Sequence, residues 1–316
     1  MKIVILDGFT LNSGDLNWTP LSGFGELVVY DRTAETDVAA RCQDAAIVIT
    51  NKVPLIRETM QQLPHLKLIT VLATGYNIVD VDAARQLGIV VCNVPAYSTA
   101  SVAQHTFALL LELTNHVGLH AQSVAAGEWQ RSPDFAYTKK PLMELDGKTL
   151  GIVGFGNIGQ RTAHIGAALG MQILYNSRTK KETAVGRYVD LQTLFSQSDV
   201  VSLHCPLTVD NKGFVNKELL NRMKPSAFFI NTARGQLVNE QDLADALNEK
   251  KIAAAALDVL ATEPPNESNP LLHARNCIFT PHIAWISFEA RQRVMAITAQ
   301  NIDAFLKGYP INVVNG

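Results

Sequence analysis

Thr149-Leu-Gly-Ile-Val-Gly154-Phe-Gly156-Asn157-Ile158-Gly159 decides how the rest of the chain is read. The apolar run Leu150 to Val153 has the character of a buried strand, and glycines follow it at the first, third and sixth places of G-x-G-x-x-G. Beyond them, from about Gln160 to Leu169, apolar residues recur three and four apart, as on a helix with one buried face. The first glycine permits a tight turn, the second lets the backbone approach a pyrophosphate, and the third lets the helix pack close to the strand. A diphosphate would rest on the N–H groups and positive dipole end of that helix. Such a motif alone is common in glycine-rich turns. The strand before it and the helix after it turn it into a dinucleotide site.

Length and charge narrow the surroundings of this site. At 316 residues the chain exceeds one ordinary domain, so two of roughly 150 residues are expected. Its 27 Lys and Arg against 29 Asp and Glu leave no basic field for nucleic acid or an anionic membrane. No apolar run reaches the roughly 18 residues of a spanning helix. The start, Met1 to Asp7, turns acidic early and lacks a small-residue cleavage site, so a cytoplasmic location is expected. Cys42, Cys92, Cys205 and Cys277 show neither C-x-x-C nor metal spacing, which predicts free thiols and no metal centre.

Upstream of the motif, short apolar runs alternate with helical stretches: Ile3–Leu6, Leu27–Tyr30, Ala46–Thr50, Leu68–Leu72 and Ile89–Val91. Runs this short and unalternating predict parallel strands buried on both faces, in a flavodoxin-like or Rossmann-like sheet. Two loops at strand ends, Asn51-Lys52 and Ala73-Thr74-Gly75-Tyr76-Asn77, stand where open α/β sheets collect ligands. Ordinary turn chemistry accounts for Gly75 and Asn77 as well. After a crossover whose Ser98 or Ser101 can cap a helix, Val102 to about Gln122 reads as one long helix, apolar nearly all round. Such a helix is either central to its domain or packed on a partner subunit, and both are expected. Its His105, His116 and His120 read as core or interface histidines.

Downstream, further strands run Met171–Tyr175, Val200–Leu203, Ala227–Ile230, Ala253–Leu257 and Ile278–Phe279, and a polar-faced helix spans Ser287 to Phe305. By its length this last segment could cross back to the first domain. Three of the strands run into Arg234, Asp258 and His282. Set around a nicotinamide, these would supply a cation, a base and an acid. Glu263, in the stiff stretch Ala261-Thr-Glu-Pro-Pro265, could reach His282. The set suits hydride transfer to a carbonyl. Arg234 would clamp a carboxylate in bidentate fashion and polarise the neighbouring oxygen. His282, held protonated by Glu263, would give a proton to that oxygen. Plainer readings exist for each: a structural salt bridge for Arg234, a buried hydrogen-bonded ring for His282, a solvated loop charge for Glu263.

Gly154-Phe-Gly-Asn-Ile-Gly159, Asn231-Thr232-Ala233-Arg234-Gly235, Leu257-Asp258-Val with Glu263-Pro, and Thr280-Pro-His282 resemble, in order and spacing, the signatures of the D-2-hydroxyacid dehydrogenase family. The resemblance covers nearly the whole chain. It implies two doubly wound domains, a catalytic domain of residues 1–97 plus 287–316 and a coenzyme domain of 98–286 inserted within it. It also implies a homodimer built through the coenzyme domain and its long helix. Carried over, Arg234 binds the substrate carboxylate and carbonyl, and His282 is the acid/base. Glu263 orients His282 and raises its pKa, while Asp258 holds the nicotinamide carboxamide. Thr74 and Gly75 offer the carboxylate backbone N–H groups, and Cys205 and Pro206 flank the adenosine. The cofactor surface so implied also includes Thr232, Ala233 and Ala284.

Within the family, Ala73 to Asp80, Pro95 to Thr99, Ser101-Val-Ala-Gln104 and His282-Ile-Ala284-Trp285 resemble most the branch that interconverts hydroxypyruvate and D-glycerate. A small 2-oxoacid, hydroxypyruvate or glyoxylate, is therefore the expected substrate. Lys52 would meet its hydroxyl or carboxylate, and Trp285 would wall the pocket. D-lactate or a bulkier acid, or a cofactor-sensing corepressor-like role, are the other readings. One position departs from an NAD-specific pattern. About 20 residues beyond the glycines such a site carries an acidic residue for the ribose hydroxyls. Here that place is Ser177, followed by Arg178 and Lys180-Lys181. With no carboxylate to repel a 2′-phosphate and a cation to bind it, NADP is expected over NAD.

Overall fold

Ile3, Val4 and Ile5, then Ile47, Val48 and Ile49, are each wholly buried at consecutive positions. A strand can do this only with helices over both faces of its sheet. The computed structural model, which describes residues 1–316, pairs five such strands in parallel: β1 (Lys2–Ile5), β2 (Glu26–Val29), β3 (Ala45–Thr50), β4 (Leu68–Val71) and β5 (Val90–Cys92). Their order, β2-β1-β3-β4-β5, is that of a flavodoxin-like sheet. They belong to one compact unit, Met1–Tyr97 with Ile286–Gly316.

The C-terminal segment is integral to this unit. Its helix Phe288–Leu306 buries Ala290, Val294, Met295 and Ile302. Arg291 of that helix is almost fully buried and grips Asp15 with both terminal nitrogens, at 2.6 and 2.5 Å. The tail then joins β5, where Val91 accepts from Val314 N at 2.9 Å and donates to the Asn315 side chain at 2.9 Å.

The second unit, Ser98–Trp285, is a seven-stranded parallel sheet. Its strands are β6 (Thr149–Val153), β7 (Gln172–Asn176), β8 (Arg187–Tyr188), β9 (Val200–Leu203), β10 (Phe228–Asn231), β11 (Ala254–Leu257) and β12 (Cys277–Phe279). The order β12-β11-β10-β9-β6-β7-β8 winds outward in both directions from β6 and β9. Adjacent residues of one strand feed opposite cores. Val153 and Phe229 pack in one cluster, while their neighbours Ile152 and Ile230 pack in the other. The doubly wound α/β architecture expected from the sequence is thus the one found.

Two local expectations need correction, and one strand goes unsignalled in the sequence. The stretch Val102–Gln122 is two helices, Thr99–Asn115 and Val117–Ala125, parted by His116 in the left-handed region at φ 50°. The Glu112 carboxylate caps the second helix through Gly118 N at 3.1 Å. Apolar residues continue across this one-residue turn, so periodicity does not register it. The helix after the glycine motif begins at Asn157 rather than Gln160, with Gly156 as its N-cap, because the last glycine already lies in the first turn. Strand β8 has only two residues, both exposed, too short and polar to signal itself.

Candidate active site

Strands β6 and β9 lie side by side while their chain continuations diverge, so their carboxyl ends open the crevice where doubly wound sheets bind ligands. The glycine motif fills the β6 side of it. Gly154 has φ +94°, and an added Cβ would stand 2.4 Å from Cys205 N, so the turn and the β9 loop touch backbone to backbone. At Gly159 a Cβ would fall 2.1 Å from the Gly154 carbonyl oxygen. Only glycine allows the helix Asn157–Ala168 to start this close. At Gly156, by contrast, a Cβ would meet nothing within 4 Å. Two glycines made necessary by protein contacts, and one facing open space at a helix N-terminus, are what a diphosphate cradle requires. The N–H groups of the first turn, Asn157 to Gly159, have no acceptor within the helix. Cys205, half-buried with its thiol pushed up to about 11 by burial, is a packing residue here.

Arg234, Glu263 and His282 are brought together. They line one cavity of about 240 Å³ with Gly235, Leu260 and Ala261. Each is aimed by its own local device. Asn231, last in β10, donates from Nδ2 to the Arg234 carbonyl at 2.9 Å and accepts from Ala233 N at 2.9 Å, which fixes the turn that carries Arg234. The Arg234 side chain is exposed, with Nη1 on Ala233 O at 2.7 Å. An added Cβ at Gly235 would lie 1.9 Å from the Leu260 carbonyl carbon, so this turn presses directly on the loop bearing Glu263. That loop is held from its far side by Glu240, which accepts from Ala261 N at 2.7 Å and Asn269 Nδ2 at 3.0 Å. Glu263 accepts from Leu260 N at 3.0 Å through one oxygen and meets His282 Nδ1 at 2.6 Å through the other. A carboxylate can only accept, so Nδ1 carries the proton and Nε2 is left for a reacting atom.

His282 itself sits at φ 55°, an uncommon conformation for a side chain of this size. Asp258 holds it there. The Asp258 carbonyl accepts from His282 N at 2.9 Å, and its carboxylate accepts from Ile283 N and Ala284 N, each at 2.9 Å. Thr280 Oγ1 adds a third donor at 2.6 Å, and His105 Nε2 lies 2.9 Å from that hydroxyl and 3.5 Å from the carboxylate. Burial opposes ionisation of Asp258, but His105, Thr280 and the two N–H groups outweigh it and hold the carboxyl below its ordinary range. Ser101 Oγ closes the turn on the Ala284 carbonyl at 2.6 Å. His105 is thus tied to the His282 turn, which sequence reading as a core histidine missed. Its place one helix turn beyond Ser101, whose hydroxyl meets the Ala284 carbonyl rather than capping the helix, was the available signal; Ser98 stands at the N-cap without a side-chain bond. Thr232, 8% exposed, is occupied by the Thr106 hydroxyl at 3.1 Å.

At the end of β7, Ser177 Oγ donates to Thr179 O at 2.7 Å, and Arg178 is exposed. Across the sheet, His204 leads into Cys205-Pro206, its Nε2 2.9 Å from Ser202 Oγ. One edge of the residue stays accessible, yet burial pushes its pKa down to about 3. The unfolded chain takes this proton near 6.5. Between the two values the unfolded state binds more protons, so this residue's contribution is complete above pH 6.5 and is lost as pH falls toward 3. Stability of the unliganded protein is therefore expected to decline on acidification by up to about 1.4 kcal/mol per pH unit more in the wild type than in His204→Asn. Denaturant titrations at pH 7, 6 and 5 check this; parallel curves for the two proteins would refute it.

In the first unit, Lys52, Thr74 and Gly75 stand at the carboxyl ends of β3 and β4, as expected. The buried Asp7 carboxylate organises the first of these loops, accepting from Asn51 N at 2.9 Å, Lys52 N at 2.6 Å and Val53 N at 3.3 Å. Lys52 is exposed at its tip. The Thr74 hydroxyl is on the Val94 carbonyl at 2.9 Å, and Gly75 is half-buried. Trp285, half-buried, is the last residue of the second unit.

A family model described as "D-isomer specific 2-hydroxyacid dehydrogenase, NAD binding domain" matches residues 107–284. A hydroxypyruvate reductase of Blautia hydrogenotrophica is 52% identical over 321 residues, covering 100% of both chains. A glycerate dehydrogenase of Methylorubrum extorquens is 42% identical, covering 99% of this chain and 98% of its own. Among solved structures, an acyclic imino acid reductase in complex with NADPH and D-Arg superposes with a TM-score of 0.87 at 30% identity, covering 99% of this chain and 100% of its own.

Proposed function

The chain belongs to the D-isomer specific 2-hydroxyacid dehydrogenase family and is an NAD(P)-dependent oxidoreductase of 2-oxoacids, and we propose that its substrate is hydroxypyruvate or glyoxylate, reduced to D-glycerate or glycolate. One observation carries the chemistry: the His282–Glu263 pair, 2.6 Å apart, opens onto the same cavity as the Arg234 guanidinium. Arg234 takes the substrate carboxylate in its planar fork and polarises the adjacent carbonyl. A nicotinamide cofactor, when bound at the glycine motif, would supply the hydride. His282 gives its Nε2 proton to the carbonyl oxygen, and Glu263 stabilises the ring while it is charged. Asp258 fixes the backbone that carries His282; a carboxamide N–H would share a carboxylate already used by Thr280 and two backbone donors. Lys52, Thr74, Gly75 and Trp285 are the proposed contacts to the rest of the substrate.

The choice of a small substrate rests on the relatives that span the whole chain, named for hydroxypyruvate and glycerate. NADPH is the proposed cofactor, because Ser177 and the exposed Arg178 replace the acidic residue that an NAD site places there. The imino acid reductase of the same fold is a solved complex with NADPH. The enzyme is proposed to be a cytoplasmic homodimer through the helix Thr99–Asn115, whose Leu111 is exposed. No helix of the chain is long and apolar enough to cross a membrane.

Initial rates of hydroxypyruvate, glyoxylate and pyruvate reduction, each with NADPH and NADH, test this reading. The expected result is fastest turnover of hydroxypyruvate, with NADPH preferred. Turnover of pyruvate alone would leave the mechanism and remove the substrate. A preference for NADH would remove the role of Arg178.

A further inference from the structure

Tyr175 lies in β7, one residue before its end, and is 1% exposed. Its ring stacks on Phe155, a residue of the glycine motif, with centroids 4.0 Å apart and planes inclined by 21°. Tyr188 of β8 closes its other side edge-on at 5.6 Å. A ring packed in this way cannot swing, so its hydroxyl is a fixed point near the carboxyl end of β7. That hydroxyl makes two bonds to one residue. It donates to the Lys181 carbonyl at 2.5 Å and accepts from the Lys181 N–H at 3.1 Å.

The bonds close a loop. Its near end is fixed where Asn176 pairs with Val153 and donates from Nδ2 to Val189 O at 2.8 Å. Its far end is Lys181. Between them Ser177 bridges to Thr179 O at 2.7 Å, and Arg178, Thr179 and Lys180 project into solvent. Solvent-exposed residues of this kind would ordinarily lose conformational freedom on meeting an anion, and the loss weakens binding. A loop tied at both ends has already lost much of the backbone share of it.

We propose that the Tyr175 hydroxyl is a specificity-determining positioning group, holding the Ser177–Lys181 loop so that its cations meet a ribose 2′-phosphate and thereby favouring NADPH over NADH. The inference rests on the NADPH reading given above. It adds that selectivity depends on loop order as well as on the charge of Arg178. NADH, with only ribose hydroxyls at this place, gains little from a fixed cation. The tether should therefore act on one cofactor and not on the other.

Tyr175→Phe keeps the stacked ring and removes only the hydroxyl, and the Lys181 backbone groups released lie in an exposed loop where water can serve them. Isothermal titration of the unliganded protein with NADPH and with NADH, alongside a thermal melt, reads the outcome. The Kd for NADPH is expected to rise roughly three- to tenfold, the value of one or two net hydrogen bonds, with the Kd for NADH within about twofold of wild type. An equal rise for both cofactors would make the hydroxyl merely structural and overturn the proposal, as would no change in either. Arg178→Ala, titrated in parallel, separates the two levels. If it leaves the ratio of the two Kd values unmoved, the NADPH reading itself fails and the tether falls with it. If it abolishes selectivity while Tyr175→Phe does not alter it, only the tether fails. Should Tyr175→Phe not fold, Lys181→Pro is compared with Lys181→Ala. Charge loss is common to both and only proline removes the N–H that the Tyr175 hydroxyl accepts, so a weaker Kd for NADPH in the proline variant alone supports the tether, while equal values overturn it.

Discussion

His282→Asn is expected to lower kcat for 2-oxoacid reduction by about 10²- to 10⁴-fold, the usual worth of a positioned proton donor. Asparagine is chosen because it tolerates positive φ better than most residues, and His282 sits at φ 55°. The backbone bonds that the Asp258 carbonyl and carboxylate accept from His282 N, Ile283 N and Ala284 N do not involve the ring and survive the change. The melting temperature and the Kd for NADPH should therefore stay near wild type. Loss of rate with intact fold and cofactor binding would assign the ring to proton transfer. Retention of more than a tenth of the wild-type kcat would remove His282 from that role.

Arg234→Lys is the second large effect, about 10²- to 10³-fold in kcat/KM for hydroxypyruvate. The charge is kept, so what is lost is the planar fork that holds a carboxylate through two parallel bonds and reaches the carbonyl beside it. Asn231 braces the turn through main-chain atoms of residues 233 and 234, so the lysine is presented from the same place. Steady-state kinetics across a range of hydroxypyruvate concentrations decide the matter. A loss under about fivefold would mean that any cation suffices and that the bidentate grip is not used.

Most of the fold was legible because its strands are buried on both faces and so read as unbroken apolar runs, and because the glycine motif stands between one of them and a helix. Arg234, Asp258 and His282 were legible for a related reason: polar residues that interrupt an apolar strand end have few structural excuses. The return of the C-terminal segment to the first unit was suggested by length and by the family resemblance, but its pairing with β5 was not, since Val314 and Asn315 bond to it through groups that carry no pattern. What stayed hidden were features made by main-chain geometry. The turn at His116 leaves the apolar spacing intact on both sides. The tie from His105 through Thr280 to Asp258 joins residues 175 positions apart, and no local pattern reports it. Tyr175 read only as the last residue of a strand, because the role proposed for it lies in a single hydroxyl and a backbone partner.

The contact at Gly235 has a consequence for how such an enzyme can change. With the Leu260 carbonyl carbon 1.9 Å from where a Cβ would stand, the turn that carries Arg234 and the loop that carries Glu263 are wedged into a single rigid piece. Neither can be shifted to suit a longer acid without displacing the other. Variation in substrate preference, whether selected or engineered, is thereby channelled away from this junction and toward side chains that border it. Libraries that randomise Arg234 to Glu263 wholesale would yield inactive proteins, whereas those that leave the wedge untouched keep the chemistry available to whatever new acid is admitted.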